Sequence, residues 1–152
     1  MTNLQIKEAL LQQCQEHVNH RLQRIQDTIS GIQESLTSET KSTAGDKHET
    51  GRAMLQLERE KAGKQLAEVQ KLQEVLGKIN LSHTSEYIHL GSLIKTSQAN
   101  YFISISVGEL QVTTTSYFAI AANSPIGKLL LGKSEKDIFS FNGNEITIEK
   151  IH

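Results

Sequence analysis

The sequence has few of the residues that staple small secreted proteins or break helices. Its 152 residues include one cysteine, one proline and no tryptophan. Because Cys14 is alone, no internal disulfide is possible, and we expect a protein of the reducing cytoplasm. No stretch approaches the roughly 18 apolar residues of a membrane helix, and residues 1–8 lack a signal-peptide pattern, so we expect no membrane contact. The formal net charge of −1 argues against binding nucleic acid by neutralising many phosphates.

Aromatic residues are missing from the first part of the chain: the three tyrosines and four phenylalanines all lie after residue 86. Before residue 80 the chain is rich in Gln, Glu, Lys and Leu, which favour helices. After it come Ser, Thr, Ile and the aromatic residues, which favour strands. The change predicts an α+β protein with two domains, a helical one over residues 1–79 and a β-rich one over residues 80–152.

Apolar residues recur every three or four positions in both parts of the helical domain. The first stripe comprises Leu11, Cys14, Val18, Leu22, Ile25, Ile29, Ile32 and Leu36. The second comprises Leu55, Ala62, Leu66, Val69, Leu72 or Gln73, Leu76 and Ile79. Each stripe covers one partner, so we expect an antiparallel coiled-coil hairpin about 50 Å long that reverses at residues 37–45. A parallel dimer through the first helix is the alternative, and the small polar reversal makes it the weaker one.

Two carboxylates, Asp46 and Glu49, follow the expected reversal at a spacing of three residues. Thr43 fits an N-cap, and the acids then complement the positive end of the second helix. The same spacing places both acids on one side of a helix, where they offer two to four oxygens to a divalent cation. Since Mg²⁺ needs about six oxygens, such a site is complete only with ligands from a partner. Both interpretations remain open at this stage.

The second domain is predicted to be an antiparallel sheet packed on one short helix. We expect strands over residues 87–95, 101–107, 109–113 and 117–122. Ser124 fits an N-cap and Pro125 the first position of a helix that ends at Gly132. The turn Asn142-Gly143-Asn144 predicts a closing hairpin of residues 137–141 and 145–151.

The chain resembles the bacterial Gre factors, which act on RNA polymerase in transcription elongation and transcript cleavage. Gly45-Asp46-Lys47-His48-Glu49 matches the family's tip pattern Gly-Asp-x-x-Glu. The segment that begins Asn123-Ser124-Pro125 and continues Ile-Gly-Lys-Leu-Leu-Leu-Gly-Lys is similar to the family's helix motif. The order of the parts, a hairpin followed by a β domain with a closing hairpin, also agrees, so the resemblance covers nearly the whole chain.

The resemblance implies an accessory factor that is not itself an enzyme. A second domain with the fold of FKBP-type prolyl isomerases would contact the rim of the polymerase secondary channel through Asn123, Ser124 and Pro125. The coiled coil would enter the channel as a monomer, and Asp46 and Glu49 would share a Mg²⁺ ion with the polymerase, only in the complex. The polymerase would then cleave backtracked RNA. The 3′ end of this RNA would be an indirect partner of the factor.

The residues after Glu49 depart from the family pattern. The family usually has Asn-Ala-[Glu/Asp]-Tyr, whereas this chain has Thr50-Gly51-Arg52-Ala53. The departure leaves open a Gre-like regulator or inhibitor that occupies the channel without stimulating cleavage. Two weaker alternatives are a prolyl isomerase or chaperone and a structural coiled-coil adaptor.

Overall fold

Two long helices precede a mixed β-sheet, which confirms the predicted α+β class. The structure is a computed structural model that describes the backbone of residues 1–41 and 46–152 and the side chains of residues 1–38 and 50–152. The helices are α1 (Asn3–Lys41) and α2 (Asp46–Gly77). They are followed by β1 (Leu93–Thr96), β2 (Asn100–Ser104), β3 (Gly108–Val112), β4 (Thr115–Ala121), α3 (Pro125–Leu130), β5 (Ile138–Phe141) and β6 (Asn144–Ile151).

The apolar stripes of α1 and α2 are the buried faces of these helices, as the spacing predicts. In α1, Val18, Ile25 and Ile32 are buried, and the intervening stripe residues are half-buried. In α2, Ala62 and Val69 are buried on the second stripe. Despite their length, neither helix has an apolar stretch sufficient to cross a membrane, and no other helix of the described residues has one.

The predicted reversal at residues 37–45 is too long, because α1 continues to Lys41. The side chain of Thr37 donates a hydrogen bond to the carbonyl of Gln33, at 3.0 Å, within the helix. Serine and threonine only weakly disfavour helix, and no glycine or proline lies between Thr37 and Ala44. The small polar composition therefore does not stop the helix where the sequence pattern suggested.

The helical unit spans Val18–Gln73, and α1 and α2 lie side by side within it. Both helices line one groove, which comprises Arg21, Arg24, Ile25 and Thr28 from α1 and Gln65 and Glu68 from α2. Since only residues 42–45 separate the helices in the chain, this arrangement is hairpin-like.

The second unit joins Glu74–His152 with Met1–His17, so the first turns of α1 belong to the same compact unit as the sheet. Two contacts illustrate this packing. The side-chain amide of Gln13 donates to the carbonyl of Gln111 at 3.0 Å, and the Cys14 sulfur lies 3.6 Å from the Ser104 hydroxyl. One side of the sheet is therefore covered by the start of the chain.

The sheet has the strand order β3-β4-β2-β1-β6-β5 and is mixed, so the antiparallel prediction is wrong in one pairing. β2 and β4 run parallel, with Phe102 opposite Ala119 and Ser104 opposite Ala121. The alternation of apolar residues reveals which face of a strand is buried, and it carries no information about the direction of the neighbouring strand.

The strand predicted over residues 87–95 begins only at Leu93. Before it, the chain turns at Gly91, whose φ of +93° is accessible mainly to glycine. The Ser92 hydroxyl accepts a hydrogen bond from the backbone of His89 at 2.9 Å and stabilises this turn. Ile88 is nevertheless buried, and its backbone pairs with Gly132 and Lys133 instead of a strand.

The helix α3 packs on the other face of the sheet, over a core of aliphatic residues and one phenylalanine. This core comprises Ile88, Ile94, Ile103, Ile126, Leu130, Phe139, Ile146 and Ile148. The closing hairpin is confirmed: Phe141 pairs with Asn144, and Asn142 and Gly143 both have positive φ, of 50° and 78°. These angles are typical of a type I′ turn, which the Asn-Gly pair favours.

Candidate functional site

The two tip acids belong to the first turn of α2, which begins at Asp46. Positions three residues apart lie on one side of a helix, so the backbone places Asp46 and Glu49 on the same side. Their side chains fall outside the part of the chain whose side chains are described, and the shared metal site stays a prediction. Thr43, the predicted N-cap, lies outside the described residues.

The residues that follow the acid pair continue α2 without interruption. Arg52 is exposed and lies three positions after Glu49, so the two occupy neighbouring positions on the helix surface. An arginine at this distance lowers the net negative charge that the acid pair offers to a cation. Within the first two turns of α2, Arg52 is therefore the clearest chemical departure from the Gre pattern.

Ser124 caps α3, as the sequence predicts. Its backbone is extended, with φ −70° and ψ 161°, and Pro125 occupies the first helical turn. The Ser124 hydroxyl accepts from the backbone nitrogen of Gly127 at 3.1 Å and donates to the carbonyl of Ala121 at 2.7 Å. The hydroxyl thus joins the end of β4 to the start of α3, and it is held in one position by both bonds.

Asn123 and Pro125 flank this cap and are both exposed. The three predicted contact residues therefore form one short surface segment where the chain leaves β4 and enters α3. Their backbone is fixed by the Ser124 cap and by the buried Ile126 behind it. A rigid, exposed segment of this kind suits recognition by a partner, because little conformational freedom is lost on binding.

Gly127 is a structural requirement of this segment that the sequence pattern did not reveal. A Cβ at this position would lie 2.9 Å from the Ala122 carbonyl oxygen and 2.9 Å from the Ser124 hydroxyl, and closer still to the Ala121 carbonyl. No side chain fits in that space. The available signal was a glycine inside a short helix, which is unfavourable unless close packing requires it.

Three lysines, Lys128, Lys133 and Lys136, lie within or shortly after α3, and their spacing in the sequence predicts a solvated edge. Lys128 and Lys136 are exposed, and Lys136 has a positive φ of 75°. Lys133 is half-buried, with its ammonium 5.7 Å from the centre of the Phe139 ring. That separation is within the range of a cation–π contact. Lys133 thus helps to cover the aromatic residue of the core.

Two further residues were missed by the sequence analysis, Lys7 and His152. Lys7 lies in a helical position that sequence reasoning treats as solvated, yet it is only 3% exposed. Burial lowers its pKa from the ordinary 10.5. The pKa of His152 is also lowered, first by burial and then by the positive charge of Lys7. No sequence signal marks this pair, because residues 145 positions apart come together only through the fold.

Comparison of the chain with models of known protein families finds no match, and no curated protein matches it. The Gre resemblance therefore depends on the motifs and on the order of the structural elements, and the activity it implies is a proposal.

Proposed function

We propose that the protein is a Gre-type transcription factor that acts on bacterial RNA polymerase in the cytoplasm and has no enzymatic activity of its own. As a monomer, it inserts α1 and α2 into the secondary channel as an antiparallel coiled coil. Asp46 and Glu49 then reach the active site of the polymerase and promote cleavage of backtracked RNA, whose 3′ end lies there.

The observation that carries this proposal is the position of the acid pair. Asp46 and Glu49 occupy the first turn of a helix of 32 residues, next to the end of a helix of 39 residues. At ~1.5 Å per residue, helices of this length extend on the order of 50 Å, which suits delivery of an acid pair to a distant site.

The donor set fits a shared Mg²⁺ site. Two carboxylates provide oxygen ligands of the kind that Mg²⁺ prefers, and they are too few to complete its coordination. Together with ligands from the polymerase they would form such a site, and no stable metal binding by the factor alone is expected. In two-metal nuclease sites, bound ions activate water and stabilise the leaving oxygen.

The proposed polymerase contact is the segment Asn123-Ser124-Pro125. Its exposure at the start of α3 and the Ser124 cap support this role. The six-stranded mixed sheet with a short helix on one face supports an FKBP-like fold for this unit. The contact predicts that Asn123→Ala with Pro125→Ala weakens polymerase binding while the protein remains folded.

A cleavage assay on stalled, backtracked elongation complexes tests the main activity. Wild-type protein should accelerate shortening of the RNA, and Asp46→Asn should abolish the acceleration while leaving polymerase binding intact. Glu58→Gln is the matched control, because Glu58 is an exposed acid of α2 beyond the first turns. Acceleration that persists in Asp46→Asn would disprove the catalytic role of the acid pair.

A non-cleaving channel regulator is the second candidate, and the position of Arg52 favours it. Arg52 stands next to Glu49 on α2, where the Gre pattern has an acid. In this case the protein binds polymerase and alters pausing or initiation without shortening RNA. Arg52→Glu should then confer or increase cleavage. If the wild-type protein fails to compete with a known Gre factor for polymerase, both candidates are excluded.

A further inference from the structure

The side chain of Lys7 is almost completely buried, and its ammonium group has no anionic partner among the residues whose side chains are described. Its side chain lies in the second turn of α1 and is 3% exposed, beside the fully buried Leu10. Among the residues whose side chains are described, none supplies an oxygen within hydrogen-bonding or ion-pair distance of this group. An ammonium on a largely buried side chain is unfavourable when it has no partner, because it loses part of its hydration and gains no compensating charge.

Lys7 lines a cavity of about 260 Å³ within the unit formed by Met1–His17 and Glu74–His152. The other lining residues are Asn3, Leu4, Leu81, Thr84, Ser85, Ile151 and His152. Asn3 and Leu4 are the first residues of α1, whose first turn contains no acidic residue. The positive end of the α1 dipole therefore adds to the charge of Lys7 at this cavity.

His152 adds a hydrogen-bond donor to the cavity. The side-chain nitrogens of Asn3 and His152 are 3.0 Å apart, the imidazole atom being Nδ1. Because the amide nitrogen donates, Nδ1 accepts, and in the neutral ring the hydrogen is on Nε2. Burial and the charges of Lys7 and Lys150 lower the pKa of His152, and Glu135 opposes them. At neutral pH, Lys7 is thus the charged group and His152 an uncharged donor.

An adjoining cavity of about 590 Å³ has the opposite character. It shares Thr84, Ser85 and Ile151 with the first cavity and is also lined by Glu86 and Glu135. The Glu135 carboxylate accepts a hydrogen bond from the backbone of Ile151 at 3.2 Å, which fixes its position close to the shared wall. These acids repel ligands with several negative charges.

From this arrangement we propose that the cavity lined by Lys7, Asn3 and His152 binds a small monocarboxylate. The carboxylate pairs with the Lys7 ammonium. It also accepts hydrogen bonds from the Asn3 and Ser85 side chains, which line the same cavity. The single positive charge of Lys7 matches the single negative charge of the ligand. The apolar walls of Leu4, Leu81 and Ile151 accommodate a short alkyl chain. The acids of the adjoining cavity disfavour phosphate. This site is separate from the tip and from the proposed polymerase contact.

Nuclear magnetic resonance titration tests the site in the full-length protein. Sodium acetate and sodium butyrate are added at constant ionic strength, with sodium chloride and sodium phosphate as comparison salts, while the ring signals of His152 are followed. We expect saturable shifts with both carboxylates, and weaker effects with phosphate and chloride. Equal responses to chloride, or tighter binding of phosphate, would overturn the proposal.

Two lysine substitutions complete the test. Lys7→Met leaves an unbranched side chain one atom shorter and removes the charge, and it should weaken carboxylate binding about tenfold or more. Lys61→Met is the control, since Lys61 is exposed on α2 and lines neither cavity, and it should bind as wild type. Unchanged affinity in Lys7→Met would overturn the proposal. If Lys7→Met does not fold, the comparison of salts on the wild-type protein decides.

Discussion

The hydroxyl oxygen of Ser124 lies 3.1 Å from the backbone nitrogen of Gly127 and accepts its hydrogen bond, which closes the first turn of α3. The same hydroxyl donates to the Ala121 carbonyl at 2.7 Å. The start of α3 is thus attached to the end of β4 through one side chain. The stability of this surface segment depends on that attachment, and on the absence of a side chain at Gly127.

Replacing Ser124 by alanine should destabilise the protein by about 1 kcal/mol, because the Gly127 N–H loses its partner and the Ala121 carbonyl keeps only the bond from the Ser124 backbone. Ser124→Thr retains the hydroxyl and should recover most of the loss. Urea denaturation measures both variants, with Ser140→Ala, an exposed serine of β5, as the control. A loss in Ser140→Ala equal to that in Ser124→Ala would show that the cap is unimportant.

The substitution Gly127→Ala should destabilise the protein by roughly 1–3 kcal/mol or more, since the new methyl group overlaps the carbonyls of Ala121 and Ala122. Gly31→Ala provides the opposite case, because nothing lies within 4 Å of its Cβ position in α1. There the helix propensity of alanine should stabilise by up to about 1 kcal/mol. Denaturation of both variants tests the predicted difference in sign, and a stabilising Gly127→Ala would contradict the packing.

The Cys14 thiol should be protected from reagents in the folded protein. It is 0% exposed, and burial raises its pKa, although the bond with Ser104 partly opposes the rise. A buried thiol that resists ionisation reacts slowly. Reaction with a thiol-specific disulfide reagent should be orders of magnitude slower without urea than with it. A cysteine introduced in Cys14→Ala/Ser30→Cys, at an exposed position of α1, should react rapidly in both conditions.

The lowered pKa of His152 should make stability depend on pH below neutrality. The unfolded ring binds a proton near its ordinary pKa of 6.5, whereas the folded ring binds one only at lower pH. The unfolded state thus holds more protons in this interval, and stability falls as the pH decreases from 6.5 towards the folded pKa. Denaturation from pH 8 to pH 5 should show a smaller decrease in His152→Gln than in the wild type.

The same histidine also reports on Lys7. Removing the Lys7 charge eliminates one of the causes that lower the pKa of His152, so this pKa should rise in Lys7→Met. Titration of the His152 ring by nuclear magnetic resonance measures the change, and Lys61→Met, at an exposed position of α2, should leave the value unaltered. An unchanged pKa in Lys7→Met would place the two groups too far apart to interact.

Much of the fold could be predicted because its signals are local. The stripe through Val18 and Ile25 marks the buried face of α1 at the helical repeat, and Ser124-Pro125 marks the start of α3. The Asn142-Gly143 turn similarly specifies the hairpin of β5 and β6. Each of these features depends on residues within a few positions of one another, so neighbouring side chains and backbone preferences suffice to determine it.

Other features were inaccessible because they arise between distant parts of the chain. The parallel pairing of Phe102 with Ala119 depends on which strands become neighbours, and no short pattern encodes that choice. The sequence alone gives Gly127 no evident role, whereas in the fold the Ala121 carbonyl occupies the space that a Cβ at this position would need.

By itself, the sequence determined the α+β class, the helix faces, the capped start of α3 and the candidate acid pair, since spacing and turn chemistry act over short distances. Only the tertiary structure decided the strand order, the packing of the first turns of α1 on the sheet, and the burial of Lys7 beside His152. Burial and charge proximity are properties of the folded chain, because they depend on residues that meet only when the whole core has formed.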